Sequence, residues 1–389
     1  MSTFSMDTLN KVLAATRAKD WRLSFVPFVM GGVYLWIWWF ELPISGRLLW
    51  LTFLSLTTTV GFASLGYFIN EYFDKAYDAR AGKLNKLAFI SPAYQFGIFF
   101  GTILFTFLPW LCLPFDSVSV AFFFTELLLF LVYSLPFPRW KEHTYFSIVV
   151  DSAYAYVVPL LLSFHTFSLI AEQKEWPIWL WCFVATAFFI GVRNILVHQA
   201  EDAVKDQRNN TQTLPLLIGK SVYERLIVIV AGYELMMVGL WIISLSIERS
   251  IFALWAIALL LACFFARQGF ATMVSFQKTG NFTLNKIYQY VFPAFVLFLL
   301  LTRQPLWAGL LLLIHLFFFV QYDLVGKTIL LLKILYQAAI KFYWETYILI
   351  RHIISVIINY TIFYLFLLFG VDLKKEGKSA KEYLSKRKQ

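Results

Sequence analysis

The sequence predicts an all-α polytopic membrane protein, and three observations predict it. Of its 389 residues, 60% are hydrophobic and only 14% are charged, against roughly 25% charged in soluble domains. Apolar runs of about 20 residues, enough as helix to cross a hydrocarbon core of ~30 Å, recur from Leu23 to beyond residue 320. The segments between them alternate between rich and poor in Lys and Arg, as in a chain threaded repeatedly through a bilayer.

Taken in order, spans are expected near 23–42, 48–69, 94–113, 117–135, 146–166, 177–198, 223–246, 250–273, 286–302 and 306–322. The first twenty residues, with Lys11, Arg17 and Lys19, are too polar for a signal peptide's apolar core, so the first span reads as an uncleaved anchor. With the N-terminus cytoplasmic, the inner segments collect Lys75, Arg80, Lys83, Lys86, Arg139, Lys141, Lys205 and Arg208 among others. The outer loops hold only Arg47, Lys174, Arg249 and Arg303. This asymmetry follows the positive-inside rule. It also accounts for the net charge of +10 without a nucleic-acid partner, because the basic residues are dispersed among short loops.

Beyond the tenth span, Lys333, Gln337, Lys341 and Glu345 lay a polar stripe at four-residue spacing, as on an interfacial helix. Residues 353–370 are apolar again, and a basic tail follows with Lys374, Lys375, Lys378 and Lys381. The expected organisation is a transmembrane domain at 1–304, additional hydrophobic and amphipathic helices at 305–370, and a basic cytoplasmic tail at 371–389 that contacts anionic lipid or stays solvated. Cys112, Cys182 and Cys263 sit in apolar runs with no metal-type spacing and read as packing residues.

Two cytoplasmic segments stand apart. The second span runs into Asn70-Glu71-Tyr72-Phe73-Asp74-Lys75-Ala76-Tyr77-Asp78, whose i, i+4, i+8 spacing aligns Asn70, Asp74 and Asp78 on one face if the helix continues. The sixth ends at His198-Gln199-Ala200-Glu201-Asp202-Ala203-Val204-Lys205-Asp206, with Asp202 and Asp206 again four apart. One such pair alone reads as solvated charge at a helix end. Two at equivalent span ends point to a site, since carboxylates facing each other across a cavity repel unless a cation lies between them. Oxygen ligands without His or Cys favour Mg²⁺, which bridges carboxylate to phosphate and so implies a diphosphate ligand.

Here the chain resembles the UbiA superfamily of intramembrane prenyltransferases. NEYFDKAYD and DAVKD stand where that family carries NDxxDxxxD-like and DxxxD motifs. Tyr133-Ser134-Leu135-Pro136-Phe137-Pro138-Arg139-Trp140-Lys141 is similar to its YSxPPxRxK segment, and Thr213-Leu214-Pro215 with Gly219 to its TLP..G stretch. Three departures stand out: Glu71 replaces a second Asp, Gln199 occupies a position often held by Asp, and residues 79–86 replace the family's NRPxRP loop. The resemblance implies a UbiA-like bundle of about nine transmembrane helices, which the residues beyond about 305 exceed as a C-terminal helical extension.

It further implies Mg²⁺-dependent transfer of a polyprenyl group from an isoprenyl diphosphate to a lipophilic acceptor. In that reading Asn70, Asp74, Asp202 and Asp206 hold the metal and Asp78 supports them, while Lys83, Tyr133, Arg139, Lys141 and Arg208 bind the diphosphate. Relatives that transfer phosphoribosyl groups or cyclise prenyl diphosphates supply alternatives, and an ion-coupled transporter or lipid-binding scaffold supplies a non-enzymatic one. Four ionisable residues fall inside spans: Glu126, Asp151, Arg193 and Glu234. Charge at that depth is costly, so partners are expected, with Asp151 and Arg193 as a reasonable pair and acceptor binding or proton removal as the lesser alternative for the set.

Overall fold

The computed structural model describes residues 6–18, 21, 25–80, 82, 84–137, 140–142, 144–208, 213–250, 285 and 287–319. All belong to one unit, Met1–Gln321; the second unit, Tyr322–Gln389, lies outside them. The span expected at 250–273, Cys263, the Lys333–Glu345 stripe, the apolar 353–370 segment and the basic tail therefore lie outside the described residues.

The described elements are all helical. They are α1 (Met6–Ala15), α2 (Phe25–Trp39), α3 (Gly46–Arg80), α4 (Pro92–Phe107), α5 (Ser117–Ser134), α6 (Thr144–Ser152), α7 (Val158–Ala171), α8 (Ile178–Arg208), the short α9 (Leu214–Ile218), α10 (Lys220–Glu248), α11 (Phe292–Arg303) and α12 (Pro305–Phe319). Among them, α3, α4 with the 3₁₀ turn that follows it, α5, the α6–α7 rod, α8 and α10 are long and apolar enough to cross a membrane. The protein is an integral membrane protein.

α2 organises the bundle. Its sequence FVPFVMGGVYLWIWW has no charged residue and hence no polar face to turn outward, the pattern of a helix surrounded on all sides. All of it is buried, packed by α11, α7 and α3. The fit is close: a Cβ added at Gly31 would meet the Phe292 ring at 2.7 Å. Phe28 stacks on Phe183 of α8 at 4.8 Å, and Phe183 in turn meets Trp241 of α10 at 4.8 Å. α4 and α5 show the opposite pattern. Phe96, Phe100, Phe105, Phe124 and Leu128 face outward, which suits hydrocarbon and would be untenable in water. α12 packs on α11, and its His315 Nδ1 lies 3.3 Å from the Tyr34 hydroxyl of α2.

Two π turns interrupt the helical ladder, Ala153–Val157 between α6 and α7 and Ile287–Val291 before α11. Each is followed within two residues by a proline, Pro159 or Pro293. Proline has no N–H to give the carbonyl four residues back, so the ladder opens there and widens to i→i+5 bonding. The extra residue rotates Tyr154, Ala155 and Tyr156 onto one cavity wall. Gly219, at φ +80°, makes the tight reversal between α9 and α10 that a side chain would strain.

At the opposite end of the bundle from the aspartate-bearing helix ends, Asp116 caps α5. It accepts the Val118 and Ser119 backbone N–H groups at 3.0 Å, and Ser119 Oγ returns to the Asp116 backbone. His165 Nε2 of α7 lies 2.8 Å from the same carboxylate. The Ser119 N–H, with His165 beside it, holds the Asp116 carboxyl below the usual carboxylate value of 3.8. A depressed folded-state value means that this stability is present above the ordinary pKa and is lost as pH falls through the folded one. Asp116→Ala is therefore expected to cost about 1 kcal/mol near neutral pH. The deficit in melting temperature of the detergent-solubilised protein should shrink once pH drops below 3.8; an unchanged melting temperature at pH 7 would refute the cap.

Candidate active site

α3, α5, the α6–α7 rod and α8 enclose a cavity of about 440 Å³. Asn70 of α3 lines one wall, and Asn194 and His198 of α8 line another. Asp74 and Asp202 follow one helical turn further toward the ends of their helices. The two aspartate-bearing ends, far apart in sequence, thus flank one space. His198 Nε2 stands 3.9 Å from Asp202 Oδ2, at i, i+4 on the same helix.

α3 continues unbroken to Arg80, so Asn70, Asp74 and Asp78 do share a helix face. Their partners divide them. Lys141, on the 3₁₀ turn Trp140–Glu142, donates to Asn70 Oδ1 at 3.0 Å and pairs with Asp74. A lysine expected on phosphate thus bridges two expected metal ligands. Asp78 instead accepts from Asn85 at 2.8 Å, and the same amide donates to the Glu71 carbonyl at 2.8 Å. The Glu71 carboxylate accepts the Lys86 N–H at 3.2 Å and faces Arg17 at 3.9 Å. Glu71 and Asp78 therefore tie the following loop back onto α3.

Tyr133 lines the cavity, its ring 5.2 Å from that of Tyr154, whose hydroxyl donates to Asp151 at 2.6 Å. Lys83 and Arg139 lie outside the described residues, as do the side chains of Asp206 and Arg208, whose backbones complete α8. Among the described residues no three His, Cys, Asp or Glu side chains gather as a metal-holding group. The donors at hand are oxygens at the two helix ends that flank the cavity, Asn70 and Asp74 of α3 and Asp202 of α8. That set fits Mg²⁺, which takes one or two carboxylates and completes its shell with water and phosphate.

The buried charges are partnered differently from the sequence expectation. Arg193 pairs with Glu234 of α10, Nε to Oε2 at 2.6 Å and Nη2 to Oε1 at 3.2 Å, and its Nη2 also donates to Asn285 at 2.9 Å. Asn285 donates to Asn194 at 2.9 Å, and Asn194 to the Tyr156 hydroxyl at 2.6 Å. Asp151, expected opposite Arg193, accepts Tyr154 instead. The reason is packing: α8 lies along α10, so a guanidinium fork on α8 meets the Glu234 carboxylate face-on. Glu126 is 1% exposed, lines the cavity, and has neither carboxylate oxygen hydrogen-bonded.

Arg17, Asn85, Asn194 and Asn285 escaped the sequence reading as site residues. Arg17 reads there as a topogenic charge, yet it lines the cavity and stacks over Tyr67 at 5.2 Å. The asparagines carry no charge and follow no spacing rule. Only Asn194, one turn before His198, lay on a helix already under suspicion.

The sequence profile of the UbiA prenyltransferase family matches residues 24–287, about two thirds of the chain. The chain belongs to this family. No curated protein sequence matches it. Among solved structures, a UbiA homologue from Archaeoglobus fulgidus bound to GPP and Mg²⁺ superposes with a TM-score of 0.52 at 16% identity, covering 74% of this chain and 99% of the other. The same homologue bound to DMAPP and Mg²⁺ gives 0.52 at 15% identity, with 74% and 98% covered. At such identities the likeness is one of fold, and it establishes the UbiA bundle here.

Within that bundle the buried pair yields a prediction. Arg193→Met or Glu234→Leu alone should each destabilise by about 3–5 kcal/mol, because each strands a buried charge, while the double substitution should recover most of the loss. Melting of the four proteins in one detergent measures this. Additive losses in the double variant would show that the two side chains are not coupled.

Proposed function

We propose that the protein transfers a polyprenyl group from an isoprenyl diphosphate to a lipophilic acceptor, in a Mg²⁺-dependent reaction that releases diphosphate. The observation that carries this reading is one cavity flanked by the Asn70–Asp74 and His198–Asp202 ends, whose inner wall is aromatic at Phe25, Phe130 and Tyr154. With amide and imidazole groups at its mouth and Phe25, Phe130 and Tyr154 among the groups within, it suits an amphiphile with a charged head and a hydrocarbon tail. The homologue structures holding GPP or DMAPP with Mg²⁺ support the same substrate class.

In this reading Asn70, Asp74, Asp202 and Asp206 hold Mg²⁺, with Asp78 acting at one remove through Asn85 and the loop. The metal, when bound, supplies positive charge to the leaving diphosphate. Lys141 is held at the cluster by Asn70 and Asp74 and turns to the phosphate oxygens on substrate entry; Lys83, Tyr133, Arg139 and Arg208 join it. As the allylic C–O bond breaks, its electron pair leaves with the diphosphate, and fixed cations stabilise the growing negative charge in a partly water-excluded site. The carbon left positive faces Phe130, Tyr133 and Tyr154, whose ring faces attract it by ~0.5–2 kcal/mol each. Those rings also keep water from the cation, so that the acceptor's nucleophilic atom captures it and gives up its proton to the departing diphosphate. In the same reading the N-terminus and both aspartate ends face the cytoplasm, and residues 1–304 carry the catalytic chemistry.

The test is pyrophosphate release by purified protein in nanodiscs with Mg²⁺, a series of prenyl diphosphates and a total membrane lipid extract as acceptor source. Release is expected to require all three. Asp74→Ala and Asp202→Ala should each lower it at least a hundredfold, the scale on which loss of one transition-state charge contact acts, with melting temperature near wild type. Full activity in either variant defeats the site assignment, and wild-type protein that is folded yet silent with every donor defeats the function.

A further inference from the structure

Glu126 is used by nothing in the mechanism above. It lies on α5 eight residues before Ser134, about 12 Å along the helix at about 1.5 Å per residue. Gly66 of α3 packs directly on the Phe130 ring, 2.7 Å from where a Cβ would stand. Tyr133 lies within electrostatic reach of Asp74. α3 and α5 therefore run in register, with Asn70 level with Ser134 and Glu126 two turns deeper than the diphosphate end.

At that depth a carboxyl with no partner is costly, and the other buried carboxylates avoid the cost. Glu234 takes the Arg193 fork and Asp151 takes Tyr154. Glu126 is equally buried and lines the same cavity, but both of its oxygens are left without a hydrogen bond. The cations already placed are engaged elsewhere, Arg193 with Glu234 and Arg17 against Glu71 and Tyr67. Whatever satisfies Glu126 enters the cavity.

A carboxyl presents an acceptor oxygen whether ionised or protonated, so an O–H or N–H donor can satisfy it in either state. A prenyl chain has only C–H bonds. We propose that Glu126 is a specificity-determining residue that accepts a hydrogen bond from a hydroxyl or N–H group of the lipophilic acceptor, and so selects acceptors that carry such a donor. This rests on the prenyl-transfer reading only for calling that ligand the acceptor. The binding itself stands on the geometry of the cavity.

The experiment measures the melting-temperature shift of the full-length protein in nanodiscs against 4-nonylphenol and 1-dodecanol, each compared with its O-methyl ether. In wild type, at least one hydroxyl compound is expected to half-saturate at a concentration tenfold or more below that of its ether. Glu126→Leu should abolish the preference, and Glu126→Gln, which keeps a carbonyl oxygen, should retain most of it. No hydroxyl preference in wild type overturns the proposal without recourse to any variant, as does a preference that survives in Glu126→Leu. Mg²⁺-dependent stabilisation by the same series of prenyl diphosphates, read on the same samples, separates the two ideas. Its presence with any member but without hydroxyl preference removes only the role of Glu126, and its absence with every member removes the prenyl-transfer reading.

Discussion

The arrangement on which the rest depends is the buried chain from Glu234 through Arg193, Asn285 and Asn194 to the Tyr156 hydroxyl. Inside a bilayer an unpaired guanidinium is untenable, so α10, α8, the segment at Asn285 and the π turn can approach only in the one arrangement that satisfies every member. Hydrocarbon packing alone is permissive, because one apolar helix face slides on another at little cost. The polar chain removes that freedom. It also forms the back of the cavity, since Asn194 and Tyr156 present their other sides to the space where Asn70 and His198 converge.

From that anchor the aspartate end is built by short local ties. Asn85 clamps Asp78 and the Glu71 carbonyl, and so folds the loop after α3 back along the helix. Lys141 clamps Asn70 and Asp74 from the segment that follows α5. The carboxylates on α3 are thus compensated by cations and amides of the chain itself, which lets acidic side chains gather at a helix end without repelling one another apart. An ammonium at this point exchanges readily for a phosphate partner, because Lys is a compact charge on a flexible stem.

Much of this was legible beforehand. The spans emerge from long runs of Phe, Leu and Ile, and the described helices other than α1 and α9 fall on them. The continuation of α3 through Asp78 follows from a segment free of Gly and Pro up to Arg80. The two aspartate ends were legible as a pair because spacing and chain order are properties of sequence. Less accessible were the partners: Asp151 and Arg193 look complementary on paper, yet Arg193 goes to Glu234, and Glu71 turns toward Arg17 and the Lys86 N–H. The π turns left only Pro159 and Pro293 as traces, and prolines in membrane helices have several other uses.

By itself, then, the sequence determined that the chain is a membrane-embedded helical bundle, which ends of which helices carry the acidic chemistry, and the family to which those motifs belong. Each of these is set by one-dimensional quantities: the length of an apolar run, the spacing of carboxylates along a helix, the order of motifs. Only the tertiary structure decided that α2 is the buried centre, that Lys141 bridges Asn70 and Asp74, and that Glu126 faces a cavity unpartnered. Those depend on the rotation and depth of each helix relative to its neighbours. Side-chain volumes and hydrogen-bond geometry fix them in three dimensions, and no periodicity along the chain encodes them.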